Sequence, residues 1–113
     1  MKERRLSKRW ILSSYFDTYR DDHDSSPSYL ADISTGGMLL ISKHPVQTNI
    51  MMPLRIAVND SIAPDGELKV ITQVVRCRKD KDFEYYHTGC KLVDLSNATL
   101  EVIEQMIDMY AIK

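Results

Sequence analysis

Two short polar motifs contain the residues that could do chemistry in this chain. The first is Arg5-Leu6-Ser7-Lys8-Arg9, which has arginines four positions apart in a basic N-terminal segment. The second is Asp32-Ile33-Ser34-Thr35-Gly36-Gly37, a polar turn between apolar segments. Guanidinium forks match phosphate oxygens and the O6/N7 edge of guanine, and a carboxylate accepts from the guanine N1–H and N2–H groups. Together the motifs suit a small anionic ligand with base edges, such as a nucleotide.

Each motif alone also fits a structural role. Arg5 and Arg9 could be solvated residues of a frayed terminus. Asp32 and Ser34 before two glycines could form a plain turn, since such side chains bond the local backbone. In the binding interpretation, Ser34 donates to a phosphate or base oxygen, and Gly37 lets the backbone approach closely. The two motifs in this order and spacing are more specific than either one alone.

Composition limits the kind of protein. A length of 113 residues favours one domain, and 43% hydrophobic and 27% charged residues are near the globular norm. No apolar run approaches the roughly 18 residues of a membrane span, and the charged N-terminus lacks the apolar stretch of a secretory signal. We therefore expect a cytoplasmic protein that does not insert into a membrane.

Charge is unevenly distributed along the chain. Residues 1–10 contain five basic residues against Glu3, whereas the whole chain has a net charge of −1, so residues 11–113 carry −5. This acidic remainder argues against a long nucleic acid as partner. A local cationic arm suits a small anion.

Cysteine, histidine and serine positions indicate no metal site and no catalytic centre. Cys77 and Cys90 are expected to flank one hairpin without lying opposite each other, as reduced and buried strand residues. His23, His44 and His87 share no metal-ligand spacing. No serine lies in a nucleophile elbow, so the sequence does not predict an enzyme.

The elements that must position the motifs follow from hydrophobic periodicity, which predicts six strands and then one helix. The predicted strands are Trp10–Tyr19, Ser28–Ile33, Met38–Ser42, Ile50–Val58, Glu67–Arg78 and Phe83–Leu95. Short consecutive strands joined by turns favour antiparallel pairing in a closed or nearly closed barrel. We expect the helix to cover one opening or side of that barrel.

The period changes to that of a helix after residue 95. Leu100, Ile103 and Ile107 share one stripe, with Met106 and Tyr110 beside it. Ser96 or Asn97 can cap the helix start by accepting from unpaired backbone N–H groups.

The two motifs resemble those of the PilZ domain, a bacterial receptor module for cyclic di-GMP. The family pattern is R-x-x-x-R, an interval, and D/N-x-S-x-x-G. This chain has Arg5 and Arg9, an interval of 22 residues, and then Asp32, Ser34 and Gly37. The flank Glu3-Arg4-Arg5 and the later segments Val75-Arg76 and Gly89-Cys90-Lys91-Leu92 resemble weaker parts of the pattern, so the likeness spans nearly the whole chain.

The resemblance implies a fold and a ligand site. The fold is a six-stranded antiparallel β-barrel (residues 10–95) with a C-terminal helix (96–110) and a flexible basic N-terminal arm (1–9). Arg5 and Arg9 would grip guanine and phosphates, and Asp32 and Ser34 would complete the guanine site. Arg4 occupies the place that accompanies two intercalated ligands in similar domains, so two cyclic di-GMP molecules per site are expected. The ligand-binding residues expected from the motifs are thus Arg4, Arg5, Arg9, Asp32, Ser34, Gly36 and Gly37.

The implied function is a non-enzymatic receptor without a cofactor. Ligand phosphates would neutralise and order the basic arm, and an unidentified protein effector would sense the change. One alternative is a PilZ-like scaffold that binds only protein partners, such as pilus or motility machinery. Another is a small barrel that stacks single-stranded nucleic acid on aromatic residues (Trp10, Tyr15, Phe16 and Tyr19), although the acidic remainder argues against it.

Overall fold

Six antiparallel strands form a closed barrel. The computed structural model describes residues 9–20 and 28–112. The elements in these ranges are β1 (Trp10–Arg20), β2 (Ser28–Ile33), β3 (Gly37–Ser42), β4 (Met51–Ala57), β5 (Glu67–Lys79), β6 (Tyr86–Val93) and helix α1 (Asn97–Tyr110). Neighbouring strands are antiparallel, and the barrel closes in the order β1-β2-β3-β6-β5-β4. The predicted six-stranded antiparallel barrel with a C-terminal helix is confirmed. The predicted arm lies outside the described residues except for Arg9.

Alternating side chains fill the barrel. Inward positions are mostly apolar and almost fully buried, as Met38 and Leu40 on β3 and Leu54 and Ile56 on β4 show. The intervening residues of these strands point outward, as the period of two requires. The interior is therefore a packed core, and a ligand must bind on the outer surface or at a barrel end.

Helix α1 packs against the barrel through Ile103 and Met106, both fully buried. The expected stripe was centred on Leu100, Ile103 and Ile107, but Leu100 and Ile107 are only partly buried. Residues three positions apart share a helix face, so the buried line runs through Ile103 and Met106. Ser96 caps the helix as predicted, since its hydroxyl accepts from the Thr99 N–H at 3.1 Å. Among the described residues, no helix has the length and apolar character to cross a membrane.

The chain beyond α1 returns to β1. The Ile112 N–H donates to the Ile11 carbonyl at 2.8 Å, and Ala111 forms a bridge with Leu12. Here β1 has extra residues relative to β2, since their register shifts between Ile11 and Phe16. The C-terminal segment thus supports the start of β1, directly after Arg9.

The last strand is shorter than predicted, because it begins at Tyr86 rather than at Phe83 and ends at Val93 rather than at Leu95. The Asp80 carboxylate accepts from the N–H groups of Asp82 and Phe83 and so holds these residues in the hairpin loop. This local turn outweighs the strand preference of the aromatic residues.

The two cysteines lie as expected on the β5–β6 hairpin. Cys77 is opposite Thr88, and Cys90 is opposite Val74. Both are free, and Cys90 is buried.

Truncation of Met106 should destabilise the protein strongly because it is fully buried between helix and barrel. We expect Met106→Ala to lower the free energy of unfolding by about 2–5 kcal/mol in urea denaturation. The control Met109→Ala removes a side chain of the same type that is 56% exposed. It should change stability by no more than about 0.5 kcal/mol. Equal effects of the two substitutions would contradict this packing of α1.

Candidate functional site

The two sequence motifs meet in space through an ion pair. Arg9 Nη1 lies 2.9 Å from Asp32 Oδ1, with 45% of the arginine side chain and 15% of the aspartate side chain exposed. Arg9 immediately precedes β1, and Asp32 lies on β2 opposite Ile11. The antiparallel β1–β2 pairing therefore brings together residues that are 23 positions apart in the sequence.

Ser34 shapes the turn between β2 and β3. Its hydroxyl oxygen accepts from the N–H groups of Gly36 and Gly37 at 3.1 and 3.0 Å, and its own N–H donates to the Gly37 carbonyl at 2.8 Å. Ser34 is only 3% exposed. In this structure its hydroxyl holds the turn, and its predicted donation to a ligand stays a prediction.

Gly37 lies against β6. A Cβ atom at this position would lie 2.5 Å from the Cys90 carbonyl oxygen, which is closer than van der Waals contact allows. The absence of a side chain at Gly37 thus lets β3 lie close to β6. The predicted approach of the Gly37 backbone to a ligand stays a prediction.

A β-bulge on β5 forms the wall facing this turn. The β5–β6 register shifts between Val74 and Arg76, so that Val74 pairs with Cys90 and Arg76 pairs with Gly89. The extra residue, Val75, interrupts the in-out alternation, and both Val75 and Arg76 are exposed. The bulge thus places an apolar and a cationic side chain next to each other on the outer surface.

The turn and the bulge enclose a pocket of about 230 Å³, called here the turn–bulge pocket. Its lining combines predicted residues with residues of β5 and β6: Arg9, Ser34, Gly36, Gly37, Val75, Arg76, Gly89, Cys90 and Lys91. Asp32 reaches this pocket through its ion pair with Arg9. Arg4 and Arg5 lie outside the described residues, so their predicted roles stay predictions.

Sequence reasoning missed the contribution of β5 and β6. The segments around Arg76 and Lys91 resembled parts of the family pattern, but no role followed from that resemblance. On an exposed strand, a cation is ordinarily a solvated residue. Only the strand register shows that Arg76 and Lys91 lie on the same pocket as Arg9.

The charges of the pocket favour an anion. Arg76 and Lys91 form no ion pair with any residue in the described ranges. Burial raises the pKa of the Cys90 thiol to about 11 and outweighs the Thr72 hydrogen bond and the Arg9 charge, both of which lower it. Cys90 is therefore a neutral part of the wall at physiological pH and is not an activated nucleophile.

Comparison with known proteins identifies a family and a fold. The family model for the PilZ domain matches residues 3–109. No curated protein sequence matched the chain. The PilZ domain of YcgR from Escherichia coli, solved with c-di-GMP, matches with a TM-score of 0.64 and 17% identity, covering 89% of this chain and 86% of that one.

Two larger proteins contain the same fold. The inhibitor of motility MotI/DgrA from Bacillus subtilis matches with a TM-score of 0.68 and 13% identity over 87% of this chain and 47% of that one. PlzA from Borreliella burgdorferi, solved in complex with c-di-GMP, matches with a TM-score of 0.63 and 9% identity over 95% of this chain and 52% of that one. The chain thus spans about half the length of these two proteins.

Replacement of Gly37 should destabilise the barrel because its Cβ would overlap the Cys90 carbonyl. We expect Gly37→Ala to lower the free energy of unfolding by about 1–3 kcal/mol in urea denaturation. The matched control is Gly89→Ala on the paired strand, where a Cβ meets no atom within 4 Å. That control should be neutral or stabilising by up to about 1 kcal/mol. An equally stable Gly37→Ala variant would show that β3 does not approach β6 this closely.

Proposed function

Because the chain belongs to the PilZ domain family, we propose that it is a receptor module for cyclic di-GMP, which it binds in the turn–bulge pocket. The observation that carries the proposal is the Arg9–Asp32 ion pair at a pocket with two further cations, Arg76 and Lys91, which form no ion pair with any described residue. A guanidinium and a carboxylate side by side offer hydrogen-bond donors and an acceptor to one edge of a base. The surrounding positive charge suits phosphates.

Guanine complements the Arg9–Asp32 pair. In the proposed complex, the Arg9 fork donates to O6/N7 of guanine or to a phosphate, and Asp32 accepts from N1–H and N2–H. Adenine has an amino donor where guanine has O6, and it has no N1–H, so it lacks this complementarity. The pair therefore favours guanine over adenine.

The remaining pocket residues suit the other parts of a nucleotide. Arg76 and Lys91 supply positive charge for phosphate oxygens. Val75, which is 55% exposed, offers an apolar contact for the face of a base. Arg4 and Arg5 belong to the proposal on the strength of the motif alone, as does the binding of two intercalated molecules per site.

The role of the protein is that of a receptor rather than an enzyme. An exposed ion pair contributes little to stability, so a ligand can replace the Arg9–Asp32 contact at small cost. In the proposed mechanism, the bound phosphates order the basic arm over the barrel, and a protein effector recognises the altered surface. We propose cyclic di-GMP as the ligand because of the family, in which YcgR and PlzA were solved with it. At 17% and 9% identity, the likeness of these two proteins to this chain establishes only the fold.

Calorimetric titration of the full chain with cyclic di-GMP tests the proposal. Several charge-assisted hydrogen bonds of roughly 1.5–3 kcal/mol each, offset by ordering costs, predict a sub-micromolar to micromolar Kd at physiological salt. A titration without heat, together with unchanged melting in the presence of ligand, would overturn the proposal. It would favour the scaffold that binds only protein partners.

Loss of Arg9 should remove binding without unfolding the barrel. We expect Arg9→Ala to weaken cyclic di-GMP binding by about 100-fold or more, since at least one bidentate charged contact is lost. The free energy of unfolding should fall by no more than about 1 kcal/mol, because the pair with Asp32 is partly exposed. Arg9→Lys keeps the charge but lacks the fork, and its affinity should be intermediate. Normal binding by Arg9→Ala would exclude Arg9 from the site.

Loss of Asp32 should weaken the preference for guanine over adenine more than it weakens the attraction of the ligand phosphates. We expect Asp32→Ala to reduce the preference for cyclic di-GMP over cyclic di-AMP by about tenfold or more in competition titrations. The control Asp60→Ala removes the same charge from an exposed loop residue outside the pocket and should keep the preference. If Asp32→Ala keeps the full preference for cyclic di-GMP over cyclic di-AMP, Asp32 has a structural role only.

A further inference from the structure

Aromatic side chains are exposed together on the outer face of the barrel, outside the turn–bulge pocket. Tyr15 is 64% exposed on β1, and Phe83 is 62% exposed in the β5–β6 hairpin loop. Contiguous exposed apolar surface of this kind marks interaction sites. We call this surface the aromatic patch, and its members are Tyr15, Tyr29, Ile41, Phe83, Tyr85 and His87.

Strand register joins these side chains into one surface. Tyr29 on β2 is directly paired with Ile41 on β3, and Ile41 is paired with His87 on β6. Each of the three is followed in its strand by a buried residue. Because the side chains of a strand alternate between its two faces, these three form one outward-facing row across neighbouring strands.

Ring contacts extend this row at both ends. The ring centroid of Tyr15 lies 6.3 Å from that of Tyr29, and the ring centroid of Tyr85 lies 5.4 Å from that of His87. Phe83 is stacked parallel to Tyr85, with 6.0 Å between the ring centroids. The aromatic patch therefore runs without interruption from β1 to the β5–β6 hairpin loop.

Acidic side chains border the aromatic patch. On the β1 side, Asp17 is exposed and is directly paired with Tyr29. On the other side, residues 80–85 of the hairpin loop contain three acidic residues and one lysine. Arg78, which is paired with His87, adds a cation where the row reaches β5. The border formed by these residues is thus predominantly acidic.

The carboxylates of the hairpin loop lie close to the rings. Asp80 Oδ1 lies 3.0 Å from His87 Nε2. A backbone hydrogen bond from Asp82 and the contact with His87 lower the pKa of Asp80, which therefore stays ionised at physiological pH. Desolvation raises the pKa of Tyr85, and the nearby Asp80 and Tyr15 raise it further. Tyr85 thus lies within electrostatic reach of both the hairpin carboxylate and the tyrosine of β1.

This combination of rings and carboxylates suits a cationic group. Ring faces attract the side chains of arginine and lysine, and carboxylates accept hydrogen bonds from them. Phosphate groups would be repelled by the acidic border, which argues against a nucleic acid or cyclic di-GMP at this surface. Tyrosine and arginine are also among the residues that contribute most to binding at protein interfaces.

We propose that the aromatic patch is a docking surface for a cationic segment of a protein partner. Arginine or lysine side chains of that segment lie over the exposed rings and pair with the carboxylates of the border. None of the patch residues lines the turn–bulge pocket, so the inference does not depend on cyclic di-GMP as the ligand. If the protein is a receptor, the inference gives its effector a stated chemistry.

Titration of the ¹⁵N-labelled full chain with a short cationic peptide, acetyl-RLRLR-amide, tests the proposal. We expect saturable shifts of the amide resonances of Tyr15, Tyr29, Phe83 and Tyr85. The matched peptide acetyl-ELELE-amide has the same length and the same leucines, and it should cause no saturable shift at these residues. The two peptides thus separate the effect of charge from that of apolar contact.

Variants of the patch test its contribution to peptide binding. We expect Phe83→Ala to weaken the binding of the cationic peptide by about fivefold or more, because an exposed ring is lost. Asp82→Asn removes one carboxylate of the border and should weaken it by about twofold or more. The control Met109→Ala removes an apolar side chain of similar exposure, 56%, from α1 and should bind like the wild type. Melting temperatures show whether each variant is folded.

Several results would overturn the proposal. Binding of both peptides or of neither at the patch would exclude a cationic partner, and unchanged affinity of folded Phe83→Ala and Asp82→Asn would exclude the patch. Binding of single-stranded oligothymidine at the patch would indicate nucleic acid instead. Shifts of the patch amides on dilution of the free chain would indicate a second copy as the occupant. Shifts of residues 1–8 on addition of the cationic peptide would indicate the basic segment of the chain itself.

Discussion

The candidate site depends on the pairing of β1 with β2, because this register places Arg9 against Asp32. Neither side chain could recognise one edge of a base alone, because an exposed arginine is mobile and a lone carboxylate repels phosphate. At 2.9 Å the two side chains hold each other in place. Because the pair lies at the surface, breaking it costs little free energy. The C-terminal segment reinforces the arrangement, since Ile112 binds the carbonyl of Ile11 two residues after Arg9.

Departures from regular strand geometry build the rest of the turn–bulge pocket. The bulge at Val75 turns two consecutive side chains outward, which a regular strand cannot do. Gly37 allows β3 to lie close to β6, whereas Gly89 leaves space above β6. These two glycines thus serve opposite purposes: one brings backbone into contact with backbone, and the other keeps a surface free of side chains.

Much of the fold was predictable from sequence, because alternating apolar residues and a final change of period are local signals. The contact between the two motifs was also predictable. Arg9 stands at the start of β1 and Asp32 near the end of β2, and antiparallel pairing brings these two strand ends together. The features that the sequence did not predict depend on contacts between residues distant in sequence or on competing hydrogen bonds. The Asp80 turn delays the last strand to Tyr86. The positions of Arg76 and Gly89 at the pocket follow only from the strand register, and no local pattern marks the bulge that sets this register.

The most direct test of the account is a ¹H–¹⁵N correlation spectrum of the labelled chain titrated with cyclic di-GMP. The chain contains four glycines, and Gly36, Gly37 and Gly89 line the turn–bulge pocket. The fourth, Gly66, lies in the β4–β5 loop, outside the pocket, and serves as an internal reference. We expect the amide resonances of the three pocket glycines to shift with ligand while that of Gly66 keeps its position. Unchanged pocket glycines at saturating ligand would contradict it, whether or not Gly66 moved.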